Sequence, residues 1–267
     1  MNAFLRNSLL ILLTALVPAT MHAQVQTSAP GVYSLASKHT GDKYVITIKN
    51  YKPAIKQHAV YVADGGLKLG NYILGTDKDW KANVPDNCVI IAIAHTGDWH
   101  MKRQRDFIPS DAGGHKDKEF GKAMEFYLFL KDELFPFITN KVQNQSDKSF
   151  IGHSFSGLFS IYASLQQQKL FDRYYAISPS IWANYYELPK IEQQYFEKDH
   201  SLNGRMYLYA GSLEVFNKVL SSTTEYYQTL QSRKYAGLDV QFKEIDYVNH
   251  FSIIAPAVDY IFKTFNN

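Results

Sequence analysis

Six short apolar runs, separated by segments of helical periodicity, constrain the fold of this chain more than any other feature. They occupy 58–63, 88–94, 149–153, 173–177, 206–210 and 240–245. Continuous apolar runs of this length suit strands buried on both faces of a parallel sheet. Two further β-rich runs, 31–38 and 43–49, flank Thr40-Gly41-Asp42 and read as a hairpin. Helical patterns cover 120–142, the stretch after Ser154 to about 168, then 189–198, 223–234 and 256–265. Pro136 bends or ends the first, and Pro256 takes a tolerated first-turn position in the last. Alternating strand and helix predicts an α/β fold, a mostly parallel central sheet with helices on both faces. No repeat, low-complexity stretch or linker divides the chain, so 24–267 reads as one domain. Asp111-Ala112-Gly113-Gly114-His115 reads as part of a long polar loop.

Composition narrows the function classes. At 46% hydrophobic and 20% charged, the chain has the balance of a globular protein with a full core. The net charge is 28 − 25 = +3 with no dominant basic block, which argues against a nucleic-acid groove. Aromatic content of 15% calls for many rings in core or pocket walls. Residues 1–23 read as a secretory signal peptide. Arg6 supplies the positive start, 9–17 is an apolar stretch too short to span a bilayer, Pro18 breaks it, and Ala23-Gln24 is a cleavage point. The expectation is an exported chain, periplasmic or secreted, with no membrane attachment after cleavage. Oligomeric state is left open. Cys88, the single cysteine, lies inside an apolar run and reads as a buried hydrophobe.

The ends of the apolar runs carry the chemistry. In open α/β sheets, ligands bind beyond the carboxyl ends of the strands. Those ends offer Asp64-Gly65-Gly66, His95-Thr96-Gly97-Asp98, Ser154, Ser178-Pro179-Ser180, Gly211-Ser212-Leu213-Glu214 and His250. Around Ser154, the run Ser149-Phe150-Ile151-Gly152-His153-Ser154-Phe155-Ser156-Gly157 has the strand, sharp turn and helix of a nucleophile elbow. Such a turn needs small flanking residues, because strand and helix nearly touch. Ser156 stands where the Gly-x-Ser-x-Gly pattern has its second glycine. A nucleophile, an acid and a base follow in the order Ser, Asp/Glu, His. A zinc set from His95, Asp98, His100 and His115 matches no tight ligand spacing, so no metal or other cofactor is expected.

The segment from Arg103-Gln104-Arg105-Asp106-Phe107-Ile108-Pro109 through the Ser154 elbow to Ile177-Ser178-Pro179-Ser180-Ile181-Trp182 resembles the Putative esterase family of α/β-hydrolases. The siderophore-esterase branch is the most similar part of that family. The resemblance implies an α/β-hydrolase fold and a serine esterase acting on a small-molecule ester. It implies Ser154 as nucleophile and His250 as base, with Glu214 as the acid and Asp246 as its competitor. Oxyanion donors are expected from Phe155 and from Gly65 or Gly66. Arg103 and Arg105 either face an anionic substrate or form ion pairs that hold their loop. Trp182, Tyr185 and Tyr186 either wall a substrate pocket or belong to the core. A ferric-siderophore trilactone is the first substrate expectation and a carbohydrate acyl ester the second. An acyltransferase or an inactive binding protein on the same scaffold is the alternative.

Overall fold

In a computed structural model the described residues are 26–29, 31–111, 120–216 and 218–265. Their strands are β1 (Gln26–Ala29), β2 (Val32–Ala36), β3 (Lys43–Lys49), β4 (Gln57–Val62), β5 (Cys88–His95), β6 (Gln145–His153), β7 (Arg173–Ile177), β8 (Ser201–Gly211) and β9 (Ala236–Ile245). All nine join one sheet in the order β1-β2-β3-β5-β4-β6-β7-β8-β9. From β5 to β9 every neighbouring pair is parallel, while β1, β2 and β3 continue the sheet antiparallel.

Alternate residues of the central strands feed two separate cores. Ala59, Tyr61, Val89, Ile91 and Ile93 face one side, and Val60, Val62, Cys88, Ile90 and Ala92 face the other. Helices α1 (Lys68–Leu74) and α8 (Ile254–Lys263) cover the second side through Leu69, Tyr72, Ala257, Val258 and Ile261. The first side carries α2 (Trp99–Phe107), α3 (Ala123–Phe129), α4 (Phe135–Lys141), α5 (Phe155–Ser164), α6 (Ala183–Phe196) and α7 (Val219–Arg233). Much of the aromatic content gathers there. Phe107, Phe126, Phe150, Phe159 and Phe171 meet mostly edge-on or tilted, with centroids 5.0–5.9 Å apart.

Several elements differ from the sequence expectation for physical reasons. The 120–142 pattern is a helical stretch in three parts, with a π turn at Leu130–Leu134 between α3 and α4. Pro136, which has no N–H to donate, follows this π turn, at the junction where the helical stretch changes its hydrogen-bond pattern. Helices α1 and α2 were not expected. Helix α2 (WHMKRQRDF) lacks an apolar stripe, although Asp98 caps it by accepting from the N–H groups of His100 and Met101. Strand β9 is not buried on both faces. It pairs only with β8, so its residues alternate between exposed and half-buried until Ile245. Residues 1–23 lie outside the described residues, as does most of the polar stretch from Asp111 to His115.

The strand order creates the crevice. The connection leaving β4 runs toward β5, and the one leaving β6 runs toward β7, on opposite sides. Their divergence opens a space beyond the carboxyl ends of β4 and β6, where Asp64 and Ser154 lie.

Candidate active site

Ser154 sits between β6 and α5 with φ 62° and ψ −118°. This is a rare backbone conformation for a residue with a Cβ, and the surroundings hold it there. Its N–H donates to Ile177 O at 3.0 Å, and its carbonyl accepts from Ser180 N–H at 3.1 Å and Leu158 N–H at 2.9 Å. Strand and helix approach so closely that a Cβ on Gly152 would fall 2.0 Å from the Ser156 carbonyl oxygen. Gly152 is therefore required by the close approach.

The structure brings Ser154, His250 and Glu214 into one hydrogen-bonded line. Ser154 Oγ lies 3.0 Å from His250 Nε2, and His250 Nδ1 lies 2.6 Å from Glu214 Oε1. Glu214 is buried, and its other oxygen accepts from Ser178 Oγ and the Gly211 N–H, both at 2.7 Å. Burial alone would raise the Glu214 carboxyl. The hydrogen bonds from His250, Gly211 and Ser178 outweigh it and hold the group below its ordinary value. Asp246 is exposed on the loop after β9 and is hydrogen-bonded to none of these groups. The loops carrying Glu214 and His250 are pressed together: a Cβ on Gly211 would fall 2.3 Å from the Val248 carbonyl oxygen.

Sequence reasoning missed how heavily the residues beside this line are tied. Ser180 Oγ lies 3.2 Å from Ser154 Oγ. His153 is buried beneath His250, the rings 4.6 Å apart, and its Nε2–H donates to the His250 carbonyl at 2.7 Å. Burial, followed by the neighbouring His250, pushes the His153 imidazole down to about 3, so it is neutral at physiological pH. Ser156 fills the expected glycine position with a buried hydroxyl bonded to Asp64 Oδ2 at 2.8 Å. No sequence spacing signals these contacts, because the partners come from different strand ends.

The candidate oxyanion donors separate. Gly65 N–H already donates to Ile93 O at 2.8 Å, so it is not available to a substrate. Its small size serves packing instead, since a Cβ there would fall 3.1 Å from the Ile93 backbone. Gly66 is exposed, and neither its N–H nor that of Phe155 has a hydrogen-bond partner among the described residues.

Both arginines form ion pairs. Arg103 is bound to Asp64 through Nε at 2.6 Å and Nη2 at 3.0 Å, though it still edges the cleft. Arg105 is buried away from the cleft, bonded to Asp106, Asp42 and the Tyr44 hydroxyl. Burial raises the Asp106 carboxyl, and His95 and Arg105 more than reverse this, leaving it below the ordinary range.

A cleft of about 360 Å³ opens over Ser154 and His250, walled by Leu67, Lys68, Trp99 and Phe251. A second groove is lined by Phe155, the residue after the nucleophile, together with Trp182, Tyr185 and Tyr186. Asn184, Tyr185 and Tyr186 all adopt left-handed backbone, and Tyr185 is left 70% exposed. These rings are therefore groove wall, with Trp182 and Tyr186 each 38% exposed. Of the zinc candidates, His115 lies outside the described residues, and His95, Asp98 and His100 do not converge. His95 bonds Asp106, Asp98 caps α2 and His100 is exposed. Among the described residues no group of three or more His, Cys, Asp or Glu is placed to hold a metal ion.

The family model described as "Putative esterase" matches residues 37–251. Ferri-bacillibactin esterase BesA of Bacillus subtilis (strain 168) is 28% identical over 166 residues, 60% of this chain and 57% of BesA. A siderophore enterobactin esterase of Emericella nidulans is 36% identical over 83 residues, 29% of this chain and 27% of that protein. The chain thus spans little more than half the length of BesA and about a quarter of the second relative. Among solved structures, siderophore hydrolase EstB from Aspergillus nidulans superposes with a TM-score of 0.74 at 19% identity, covering 90% of this chain and 96% of EstB. BES protein from Bacillus cereus gives 0.70 at 22% identity, covering 89% and 97%. At such identities the two structures speak for the fold, and they agree with an α/β-hydrolase architecture. With the family model matching residues 37–251, most of this chain, the protein belongs to the Putative esterase family.

Proposed function

We propose that this protein is a serine esterase that hydrolyses a carboxylic ester through an acyl-enzyme on Ser154. The observation that carries the proposal is the unbroken line from Ser154 Oγ to His250 to the buried Glu214. A serine hydroxyl is a weak nucleophile until a base takes its proton. His250 Nε2 accepts that proton as Oγ attacks the ester carbonyl, and Glu214 stabilises the charged imidazole that results. The developing oxyanion turns toward the Gly66 and Phe155 N–H groups. His250 then gives its proton to the departing alcohol and activates a water, which releases the acid and restores Ser154.

The substrate class we favour is a siderophore ester, supported by the activities for which the relatives are named and by two clefts with aromatic walls, one at Ser154 and one at Phe155. One cleft is lined by Ser154 and the other by Phe155, the next residue, so a substrate with arms on both sides of the scissile bond would reach both. We further read the protein as exported, on the Arg6 and 9–17 pattern at its start. A fluorophosphonate probe with mass-spectrometric mapping, paired with turnover of an iron-loaded catecholate trilactone, tests the proposal. Ser154 should carry the label and the trilactone should open to linear products. An unlabelled Ser154 in folded protein would remove the esterase reading. Turnover of acetylated or feruloylated sugars in preference to the trilactone would replace the substrate.

A further inference from the structure

We propose that Ser156, Asp64 and Arg103 form a positioning clamp that holds the two oxyanion donors at their working separation. The inference deepens the esterase reading and rests on Ser154 being the nucleophile. Phe155, one candidate donor, precedes Ser156 in the first turn of α5. Gly66, the other, lies two residues beyond Asp64 on the connection from β4. These donors come from different strand ends, and among the described residues no backbone hydrogen bond joins 64–66 to 154–156.

The clamp supplies that link through side chains. Ser156 is fully buried, and its hydroxyl accepts from the His153 N–H at 2.8 Å. Asp64 Oδ2 at 2.8 Å and the His153 carbonyl at 2.9 Å compete for its single proton. The carboxylate is the stronger acceptor because it is charged. Asp64 is itself 4% exposed and held in left-handed backbone at φ 58°. Arg103 closes the arrangement by gripping both Asp64 oxygens and reaching the His153 carbonyl at 3.3 Å. A carboxylate buried this deeply is tolerated because the guanidinium fork and the hydroxyl satisfy it. A glycine at 156, as the elbow pattern prescribes, would leave the His153 N–H without this acceptor. Asp64 would then reach the elbow only through Arg103, whose Nη2 bonds the His153 carbonyl. Sub-ångström control of donor placement matters, since a donor displaced by about 1 Å can forfeit about a hundredfold in rate.

The test uses Ser156→Ala, with Asp64→Asn as a second variant, after fluorophosphonate labelling of Ser154 in the wild type. The probe is a trifluoromethyl ketone whose acyl side matches the best p-nitrophenyl ester. Ser154 Oγ bonds to its carbonyl carbon and passes its proton to His250, and the carbonyl oxygen becomes an alkoxide facing the donors. Ser156→Ala should lower kcat by about tenfold or more, leave KM within about threefold, and weaken the ketone by the same factor as kcat. Loss of kcat with ketone affinity unchanged would overturn the clamp, as would wild-type values for both. If Ser154 in the wild type takes no label, the esterase reading falls and the clamp with it. Labelled wild type with an indifferent Ser156→Ala sinks the clamp alone.

Discussion

Glu214 Oε1 lies 2.6 Å from His250 Nδ1, while the other Glu214 oxygen is engaged by Ser178 and the Gly211 N–H. The carboxylate is thereby fixed in position and kept ionised. Glu214→Gln removes the charge that stabilises the imidazolium and should lower kcat by about a hundredfold or more. Asp246→Asn alters an exposed side chain and should change kcat by about twofold or less. Steady-state kinetics on a p-nitrophenyl ester compares the two, and a reversed ranking would make Asp246 the acid.

His153 sets part of the acid sensitivity of the fold. Its native value is about 3, against 6.5 for the free side chain. Between those values the unfolded chain binds the proton and the native protein does not. Stability should therefore fall as pH drops below about 6.5, with a slope approaching about 1.4 kcal/mol per pH unit from this group. His153→Phe keeps a ring but loses the bond to the His250 carbonyl. It should be less stable at neutral pH and show a flatter profile between pH of about 6.5 and 4.5. Urea unfolding at stepped pH measures both, and parallel profiles for the two proteins would refute the assignment.

Gly152→Ala should abolish activity through backbone displacement. The added methyl would meet the Ser156 carbonyl oxygen at 2.0 Å, and a backbone oxygen in the first turn of α5 cannot swing aside as a side chain can. Relief requires the elbow to open, which moves Ser154 away from His250. The expected result is a hydrolysis rate lower by about a hundredfold or more, with a reduced unfolding midpoint. A variant that retains wild-type fluorophosphonate labelling would contradict the close approach.

Cys88 should be inert in the folded protein. It is buried in the second core at the start of β5, and burial, then the negative charge of Asp147, pushes its thiol up to about 12. Iodoacetamide at neutral pH should leave both the thiol and the activity untouched, with labelling only in denaturant. Modification of the native protein accompanied by loss of activity would place Cys88 in reach of solvent.

Several of these features were legible from residue order. The continuous apolar runs specified the inner strands because residues buried on both faces leave no alternation. Gly152 and the small residues around Ser154 specified the elbow because only they fit a turn that tight. The order of Ser154, Glu214 and His250 was readable because a parallel sheet sends every strand's carboxyl end to one rim. The edge strand β9 was read less well, since one unpaired side relaxes the apolar requirement. Helix α2 is hard to read from residue order because two of its three buried residues, Arg105 and Asp106, look like surface residues until paired.

Tertiary structure alone decided between Glu214 and Asp246, and between a substrate-facing and an ion-paired Arg103. Glu214 and Asp246 are both chemically suitable acids, and a guanidinium suits either role of Arg103. What separated them was burial and the partner brought across from another strand: Ser178 and Gly211 around Glu214, Asp64 opposite Arg103. The same holds for Ser156, a departure from the elbow pattern in the sequence that becomes a bond to Asp64 once β4 and β6 lie side by side. Hydrogen bonds and charge pairing depend on distances of a few ångströms between residues distant in sequence. Residue order carries the need for small, apolar or ionisable groups, and only the packed sheet sets which of them meet.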